Sequence, residues 1–439
     1  MIGVICRGAA DALGSFGEDS RVPAIDLNQE LTPEQVGLRE QAQRFASEVL
    51  RPASLELDDL SPEQVIAPGS RLWEVFGAAY KAGYHLRGFP ESLGGSNLGP
   101  MEGWVVGEAF GWGGSGLSIS LGVTSMPFRF AAMVGNPDLM RDLVMPYVED
   151  TEGRYIGCWC ATEPAHGSDL ILYSGEHARP DIHFDCSARL VKDEWVINGQ
   201  KSAWVSNGTI ATHTLAFLNV DPSKGMAGMG VAVIPLDLPG VSRGQPLNKL
   251  GQRALNQGEI FFDDVHIPRY YMLVEPGGGG GGGAGTAGIL AGANAGMSGT
   301  FCGVARAAVE EALQYAQDRV QGGVPLTAHQ LVQKRLFDMF TRLEAARSLS
   351  KVANRRLLLG QPTLHYSIAA KVFCTQAAYD LSSEAIQIFG GTGLVKGTPV
   401  EMFLRDARAS LIEDGSNDVL SLAGFRALLE ADGAPVPVG

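Results

Sequence analysis

The stretch Cys158-Trp159-Cys160-Ala161-Thr162-Glu163-Pro164-Ala165-His166-Gly167-Ser168-Asp169 constrains this chain more than any other. Bulky residues alternate up to it (Tyr155, Ile156, Trp159), and Pro164 then breaks the run into a loop of small residues. A strand ending in such a loop exposes backbone N–H groups and hydroxyls that can hold a bound group instead of packing a core. Further on, Gly199-Gln200-Lys201-Ser202-Ala203-Trp204-Val205-Ser206-Asn207-Gly208 offers a second strand edge, with an indole and a hydroxyl on one face. Either piece alone reads as a strand followed by a polar turn. Their order, and what surrounds them, narrows the choice.

The surroundings change period twice. After a loose tail over 1–25, Thr32-Pro33-Glu34-Gln35 opens a helical domain expected over 26–153, with a hydroxyl N-cap and Pro at the first helical position. Further helices are expected at 71–82, 101–110 and 138–147. Between 154 and 270 the period falls to two, and short strands predict a small antiparallel barrel or sandwich. Lys192-Asp193 reads as its hairpin turn and Asn198-Gly199 as another tight turn. Seven consecutive glycines, 277 to 283, mark a flexible loop expected over 271–288. They lack the preceding strand and following Lys-Ser/Thr of a phosphate cradle. A helical bundle is expected over 289–431, from helices at 289–320, 327–359, 364–390 and 416–430, before a short tail at 432–439. Small residues in the first of these (Gly292, Ala293, Gly296, Gly299, Gly303) suit close packing or a narrow channel. The fold class is therefore α+β, helical at both ends with a β domain between.

With 439 residues the chain can bury a sizeable core. Its formal charge of −14 argues against nucleic acid as a partner, since phosphate binding needs a basic surface, but leaves room for a local anion site. Six cysteines (Cys6, Cys158, Cys160, Cys186, Cys302, Cys374) lack paired ligand spacing, so no metal site is expected. Cys158 and Cys160 read as thiols buried on one side of a strand. So few cysteines fit a reducing cytoplasm. No uninterrupted apolar run reaches the length of a membrane span, and residues 1–25 lack a basic-then-apolar signal pattern.

Together, Thr162-Glu163-Pro164-Ala165-His166-Gly167-Ser168-Asp169 and Gly199 to Gly208 resemble the acyl-CoA dehydrogenase flavoproteins. Lys249-Leu250-Gly251, Phe262 to Pro268 and the bundle motifs extend the resemblance over most of the chain. It implies FAD, with Thr162 on the pyrimidine edge of the flavin, Ser206 at N5, Trp204 on a ring face, and Gly167 and Ser168 at the pyrophosphate. Trp159, Ala161, Ser416 and Asp418 fall at further cofactor positions. Tyr315-Ala316-Gln317-Asp318-Arg319 with Gln330, and Gln387-Ile388-Phe389-Gly390-Gly391-Thr392-Gly393, match the runs that hold the FAD of a neighbouring subunit. Arg319, Gln330, Gln387, Gly390 and Gly391 then imply a homo-oligomer, a dimer or tetramer. Gly322-Gly323 stand where the family has Phe-Gly, which alters the adenosine pocket. His166 is given a place on the loop surface.

Arg405-Asp406-Ala407-Arg408 through Glu413-Asp414-Gly415-Ser416 resembles the segment that carries the base for the α proton of the thioester. Registering on Gly415-Ser416 puts Asp414 at that position, with Glu413 as the alternative and helix capping as the competing job for Asp414. Some members carry the base early in the first bundle helix; that position falls at Ala293, which cannot take a proton. The neighbouring Arg of the family falls at Asn294, so the acyl group is carried either by CoA or by a carrier protein. The resemblance thus implies an FAD-dependent acyl-thioester α,β-dehydrogenase reoxidised by an electron-transferring flavoprotein. A flavin oxidase of the same fold (acyl-CoA oxidase or nitroalkane-oxidase-like) and a non-catalytic member are the alternatives.

Overall fold

The computed structural model describes residues 31–172, 179–276, 283–361 and 364–434. The expected leading tail, most of the glycine run and the end of the trailing tail lie outside the described residues.

Thr32 caps the helix Pro33–Phe45 in a reciprocal arrangement: its hydroxyl accepts from the Gln35 N–H, and the Gln35 side chain accepts from the Thr32 N–H. That helix continues through a π-helical turn, Ala46–Leu50, into Arg51–Asp58. The expected helices appear as Arg71–Lys81, Pro100–Gly113 and a run from Pro137 to Val148 with a π turn at Met140–Val144. Two further helices, Ser115–Val123 and Met126–Val134, were not anticipated. Gly114 precedes the first of them, and Pro127 falls in the first turn of the second. Ser115–Val134 matches a membrane span in length and mean hydropathy, although Ser118, Ser120, Thr124 and Arg129 interrupt its apolar run. Leu117, Leu121, Phe128 and Ala131 are buried in the core, the ordinary fate of such a segment inside a globular fold.

The middle domain is one eight-stranded sheet. Its strands are β1 Gly157–Cys160, β2 Ser187–Val191, β3 Glu194–Ser206, β4 His213–Asn219, β5 Met229–Pro235, β6 Val241–Arg243, β7 Gln257–Pro268 and β8 Met272–Val274. The order is β6-β7-β3-β2-β4-β5-β8, with β1 added beside β4. Pairing is antiparallel as expected, except that β1 runs parallel to β4 and β2 meets β4 in parallel at Ser187 and Asn219. Lys192-Asp193 does form the hairpin turn, with Lys192 at φ 57°. Asn198-Gly199 does not turn the chain. It forms a bulge inside β3, where the register against β7 shifts between Ile197 and Gly199. Gly199 sits at φ 135°, and a Cβ there would come 2.7 Å from Cys186 Cα. Asn198 instead bonds Asp264 across the bulge, donating from Nδ2 (3.0 Å) and accepting its N–H (2.9 Å).

Among the described residues the bundle has five helices: Gly283–Asp318, Gln330–Leu358, Leu364–Phe389, Pro399–Ser410 and Asn417–Asp432. The first begins at the last residue of the glycine run, earlier than expected. The fourth was not anticipated; it buries Val400, Met402, Phe403 and Ala407. Of the small residues in the first helix, Gly303 serves close packing, since a Cβ would fall 2.1 Å from the Glu108 carbonyl oxygen of helix Pro100–Gly113. Gly292 and Gly296 face open space instead. Arg306 of the first helix and Arg347 of the second converge on Glu108 of Pro100–Gly113, a buried ion cluster that ties the three helices together. One core cluster spans the N-terminal and middle domains, where Phe128 stacks on Tyr147 at 4.1 Å, and a second fills the bundle.

Candidate active site

The loop after β1 is locked to β3. The Ser202 N–H donates to the Thr162 carbonyl at 2.9 Å, laying the two edges side by side. Beneath them, the wholly buried Lys201 donates to Glu163 Oε1 at 2.5 Å and to the Ala161 carbonyl at 3.4 Å. Glu163 also accepts the N–H groups of Asp185 and Cys186. A buried ion pair must satisfy its remaining bonds to offset desolvation, and this one does so with backbone, which holds the loop in place. Cys158 and Cys160 are buried as expected, and the Thr214 hydroxyl donates to Cys160 Sγ.

Above this lock, chemistry-bearing groups stay open. Trp204 is 60% exposed. Ser206 is half-buried and accepts from Gln257 Nε2 at 3.3 Å, while its own proton reaches no acceptor among the described residues. Thr162 is half-buried, and its hydroxyl likewise has no partner there. Asn207, at φ 64°, anchors the strand end by bonding Ser120 of the N-terminal domain and the Gly157 carbonyl. Two free hydroxyls beside an exposed indole on adjoining edges suit a planar heterocycle with acceptor atoms, so these residues fit a flavin. The Trp159 indole, by contrast, is taken up between Phe130 and Phe217. His166 pairs with Asp169 at 2.8 Å, and the Gly167 N–H donates to the same carboxyl, which shapes the loop.

Glu413 and Asp414 lie on the turn between the last two helices. Ser416 caps the final helix, its hydroxyl accepting from the Val419 N–H, so Asp414 does no capping. Asp414 takes φ 52°, a left-handed conformation open to Asp but costly for bulkier residues. Two loops of the β domain grip the turn. On one side the Ser416 N–H donates to Ser168 Oγ at 3.0 Å. On the other, Gln252 Nε2 donates to Glu413 Oε1 at 2.6 Å. From the third helix, Lys371 donates to the Gly415 carbonyl and to Asn417 Oδ1, both at 2.8 Å.

The two carboxyls differ. Burial pushes Glu413 up to about 8, and the neighbouring Asp414 charge adds to this, against the Gln252 bond and the Lys371 and Lys249 charges. Asp414 is reached by solvent although protein surrounds the turn; burial raises its pKa, and Lys371 opposes the rise. Lys371 and Lys249 are themselves lowered to about 8 by burial. Lys249 donates to Gln257 Oε1 at 2.9 Å, so a bonded path runs from Lys249 through Gln257 to Ser206.

Other predicted residues stand apart. Arg319, Gln330, Gln387, Gly390 and Gly391 are all exposed. Tyr315 stacks on Phe389 at 4.0 Å, which joins the Arg319 turn to the Gly390 turn. Gln387 follows Lys371 by sixteen residues on one helix, about 24 Å at the α-helical rise. Gly322-Gly323 make a tight hairpin turn between Val320–Gln321 and Val324–Pro325. Asp418 is exposed in the first turn of the last helix. Asn294 is buried and bonds the Leu290 carbonyl of its own helix, 2.9 Å away.

Family profiles described as the N-terminal, middle and C-terminal domains of acyl-CoA dehydrogenase match residues 32–149, 158–265 and 284–429. The chain belongs to the acyl-CoA dehydrogenase family. Short-chain specific acyl-CoA dehydrogenase, mitochondrial, of Rattus norvegicus is 29% identical over 403 residues, covering 92% of each chain. Benzylmalonyl-CoA dehydrogenase of Aromatoleum aromaticum is 30% identical over 401 residues, 90% of this chain and 98% of that one. The structure of butyryl-CoA dehydrogenase from Megasphaera elsdenii superposes with a TM-score of 0.79 at 28% identity, covering 91% of this chain and 99% of the other. This acyl-CoA dehydrogenase is thus an oxidoreductase, and FAD is the cofactor of its family.

Sequence reasoning missed Gln252 and Lys371, and named Lys249 only as part of a motif. It quoted Arg405-Asp406 without seeing their work. Arg405 pairs with Asp58 of the N-terminal domain and donates to the Leu250 carbonyl at 3.0 Å. Asp406 accepts from the Gln252 N–H and, at 2.9 Å, from the Ser115 hydroxyl. The motif therefore joins all three domains around the loop that carries Gln252.

Proposed function

We propose that the chain catalyses FAD-dependent α,β-dehydrogenation of an acyl-CoA thioester, with Asp414 as the base for the α proton. The observation that carries this reading is the contrast within the turn. Glu413 has Oε1 taken by the Gln252 amide, and burial pushes it up to about 8 in spite of that bond, which disfavours its carboxylate near pH 7. Asp414 is solvent-reached, beside the Lys371 cation, on a turn held from both sides by the loops that bear Ser168 and Gln252. A carboxylate so held takes a proton in the transition state, a contribution of about 10²–10⁴-fold in rate. Thr162, Ser206 and Trp204 would hold the flavin ring. When bound, FAD supplies the two-electron acceptor for the hydride that leaves the β carbon. Lys249 and Gln257 keep the Ser206 hydroxyl turned so that its proton remains available.

The exposed set Arg319, Gln330, Gln387, Gly390 and Gly391 serves the FAD of a partner subunit in a homo-oligomer, a dimer or tetramer. Its distance from the Asp414 turn supports this, as do the exposed apolar side chains Leu331, Phe337 and Leu394. An electron-transferring flavoprotein then reoxidises the cofactor. The test is anaerobic bleaching of the bound flavin by straight, branched, cyclic and aryl acyl groups, each offered on CoA and on a carrier protein. Bleaching by CoA esters, followed by slow reoxidation in air, is expected. Bleaching by carrier-bound acyl groups alone, or rapid reoxidation by oxygen, contradicts the CoA dehydrogenase reading.

A further inference from the structure

We propose that the acyl group carries a second carboxylate at its far end and that Arg87 and Arg129 hold it, so that the substrate is the CoA monothioester of a dicarboxylic acid. This rests on the dehydrogenase reading above and names the substrate class for the same site.

The helix Ser115–Val123 leads from the reacting groups to these arginines. At its start Ser115 bonds Asp406, and a Cβ on Gly116 would lie 3.5 Å from the Cα of Gln252, the residue that grips Glu413. About one turn on, Ser120 bonds Asn207, which follows Ser206 at the edge that suits a flavin. Near its end a Cβ on Gly122 would lie 3.7 Å from Arg87 Nη2. From Gly116 to Gly122 the helix rises about 9 Å. Every residue of this helix is buried except Ile119, Gly122 and Val123, which share one face and are half-buried. Solvent therefore reaches one apolar stripe that runs from the level of Asn207 towards Arg87, and Gly122 has no side chain to cover the guanidinium.

The two arginines meet without a counter-ion. Arg129, on the helix Met126–Val134, lays its guanidinium over the backbone next to Arg87: a Cβ on Gly88 would lie 3.2 Å from Arg129 Nη1 and 3.3 Å from its Cζ. Among the described residues neither guanidinium bonds a carboxylate or any other acceptor. Arg87 faces the Phe110 ring at 5.9 Å, the phenols of Tyr84 and Tyr147, and the Arg129 cation. Burial disfavours the charge on both side chains, and for Arg87 the repulsion of Arg129 adds to it. Other enclosed cations of this chain are matched: Arg347 with Glu108, Arg405 with Asp58, Lys201 with Glu163. A doubled positive charge enclosed by protein calls for an anion, and a chain of net charge −14 has no general basic surface to account for it. Guanidinium forks suit a carboxylate, which each can take in two parallel bonds. The apolar stripe of Ile119, Gly122 and Val123 suits the methylenes between that carboxylate and the thioester.

The experiment is rapid-mixing anaerobic reduction of the holoenzyme by pairs of CoA esters of equal carbon count, adipyl against hexanoyl and suberyl against octanoyl. The wild type, Arg87→Met and Arg129→Met are compared. In the wild type the carboxylate member of at least one pair should bind about 30-fold more tightly than its neutral partner, read from the substrate dependence of bleaching. In Arg87→Met that preference should be lost or inverted, and in Arg129→Met it should shrink. Binding apart from turnover is read by calorimetric titration of the same pairs into Asp414→Asn, with and without Arg87→Met. Equal binding of both members of each pair by the wild type overturns the proposal. So does a preference that survives both arginine variants. An Arg87→Met that weakens both members alike does the same, since it would put the arginines on the CoA phosphates or in the fold. Bleaching by no ester would strike instead at the dehydrogenase reading, and the titrations would still decide whether the arginines hold the carboxylate.

Discussion

Lys371 shows how much of this site depends on single side chains supplied from a distance. It is buried in the third bundle helix, holds the Gly415 carbonyl, and is the charge that pulls Asp414 back down against burial. In Lys371→Met the Asp414 pKa should therefore rise, moving the acid limb of the flavin-reduction profile to higher pH. An acid limb that stayed in place would mean that Lys371 is a structural tie only. The register on Gly415-Ser416 came from the resemblance to the family's segment, and Ser416 caps the helix that follows. Gln252 and Lys371 were not legible. They meet the turn across 161 and 44 residues of chain, and no local pattern reports a contact of that span.

The loop after β1 and the Asn198-Gly199 bulge show why local signals are read correctly in one place and wrongly in another. The Thr162–Asp169 loop was recognised by its composition, but the lock beneath it is Lys201 with Glu163, which read as ordinary strand and loop residues. Lys201→Met would leave Glu163 buried with only backbone N–H partners. We expect weaker flavin retention, measured as the flavin-to-protein ratio after gel filtration, with the sheet still folded. Asn198-Gly199 misled for a physical reason: the dipeptide that permits a hairpin also permits a bulge, and only pairing with β7 decides between them. In the helical part, Glu108 is held at about 2; burial alone would raise it, but Arg347 and Arg306 more than offset that. Its contribution to stability is accordingly complete above about pH 4.5 and lost as pH falls through 2. Glu108→Ala, which strands buried guanidinium groups, should cost about 3–5 kcal/mol in denaturant unfolding. A loss within error of zero would contradict that role.

At the scale of the whole molecule, the order helical, β, helical was readable from the two changes of period. What joins the parts was not. Arg405 and Asp406 reach Asp58 and Ser115 in the N-terminal domain and the Leu250–Gln252 loop in the middle one, so a single helical turn in the bundle sets how the domains meet. The exposed residues around Arg319 belong to a larger assembly in the proposed scheme. Arg319→Ala should lower bound flavin while sedimentation still reports an oligomer; unchanged flavin content would remove Arg319 from the cofactor site. Whether Asp414 takes the α proton can be read from rapid-mixing anaerobic reduction of the wild type and Asp414→Asn by one bleaching acyl-CoA. The variant should keep its flavin and lose about 10²–10⁴-fold in reduction rate. A variant that bleaches within a fewfold of the wild type would contradict it and return the role to Glu413.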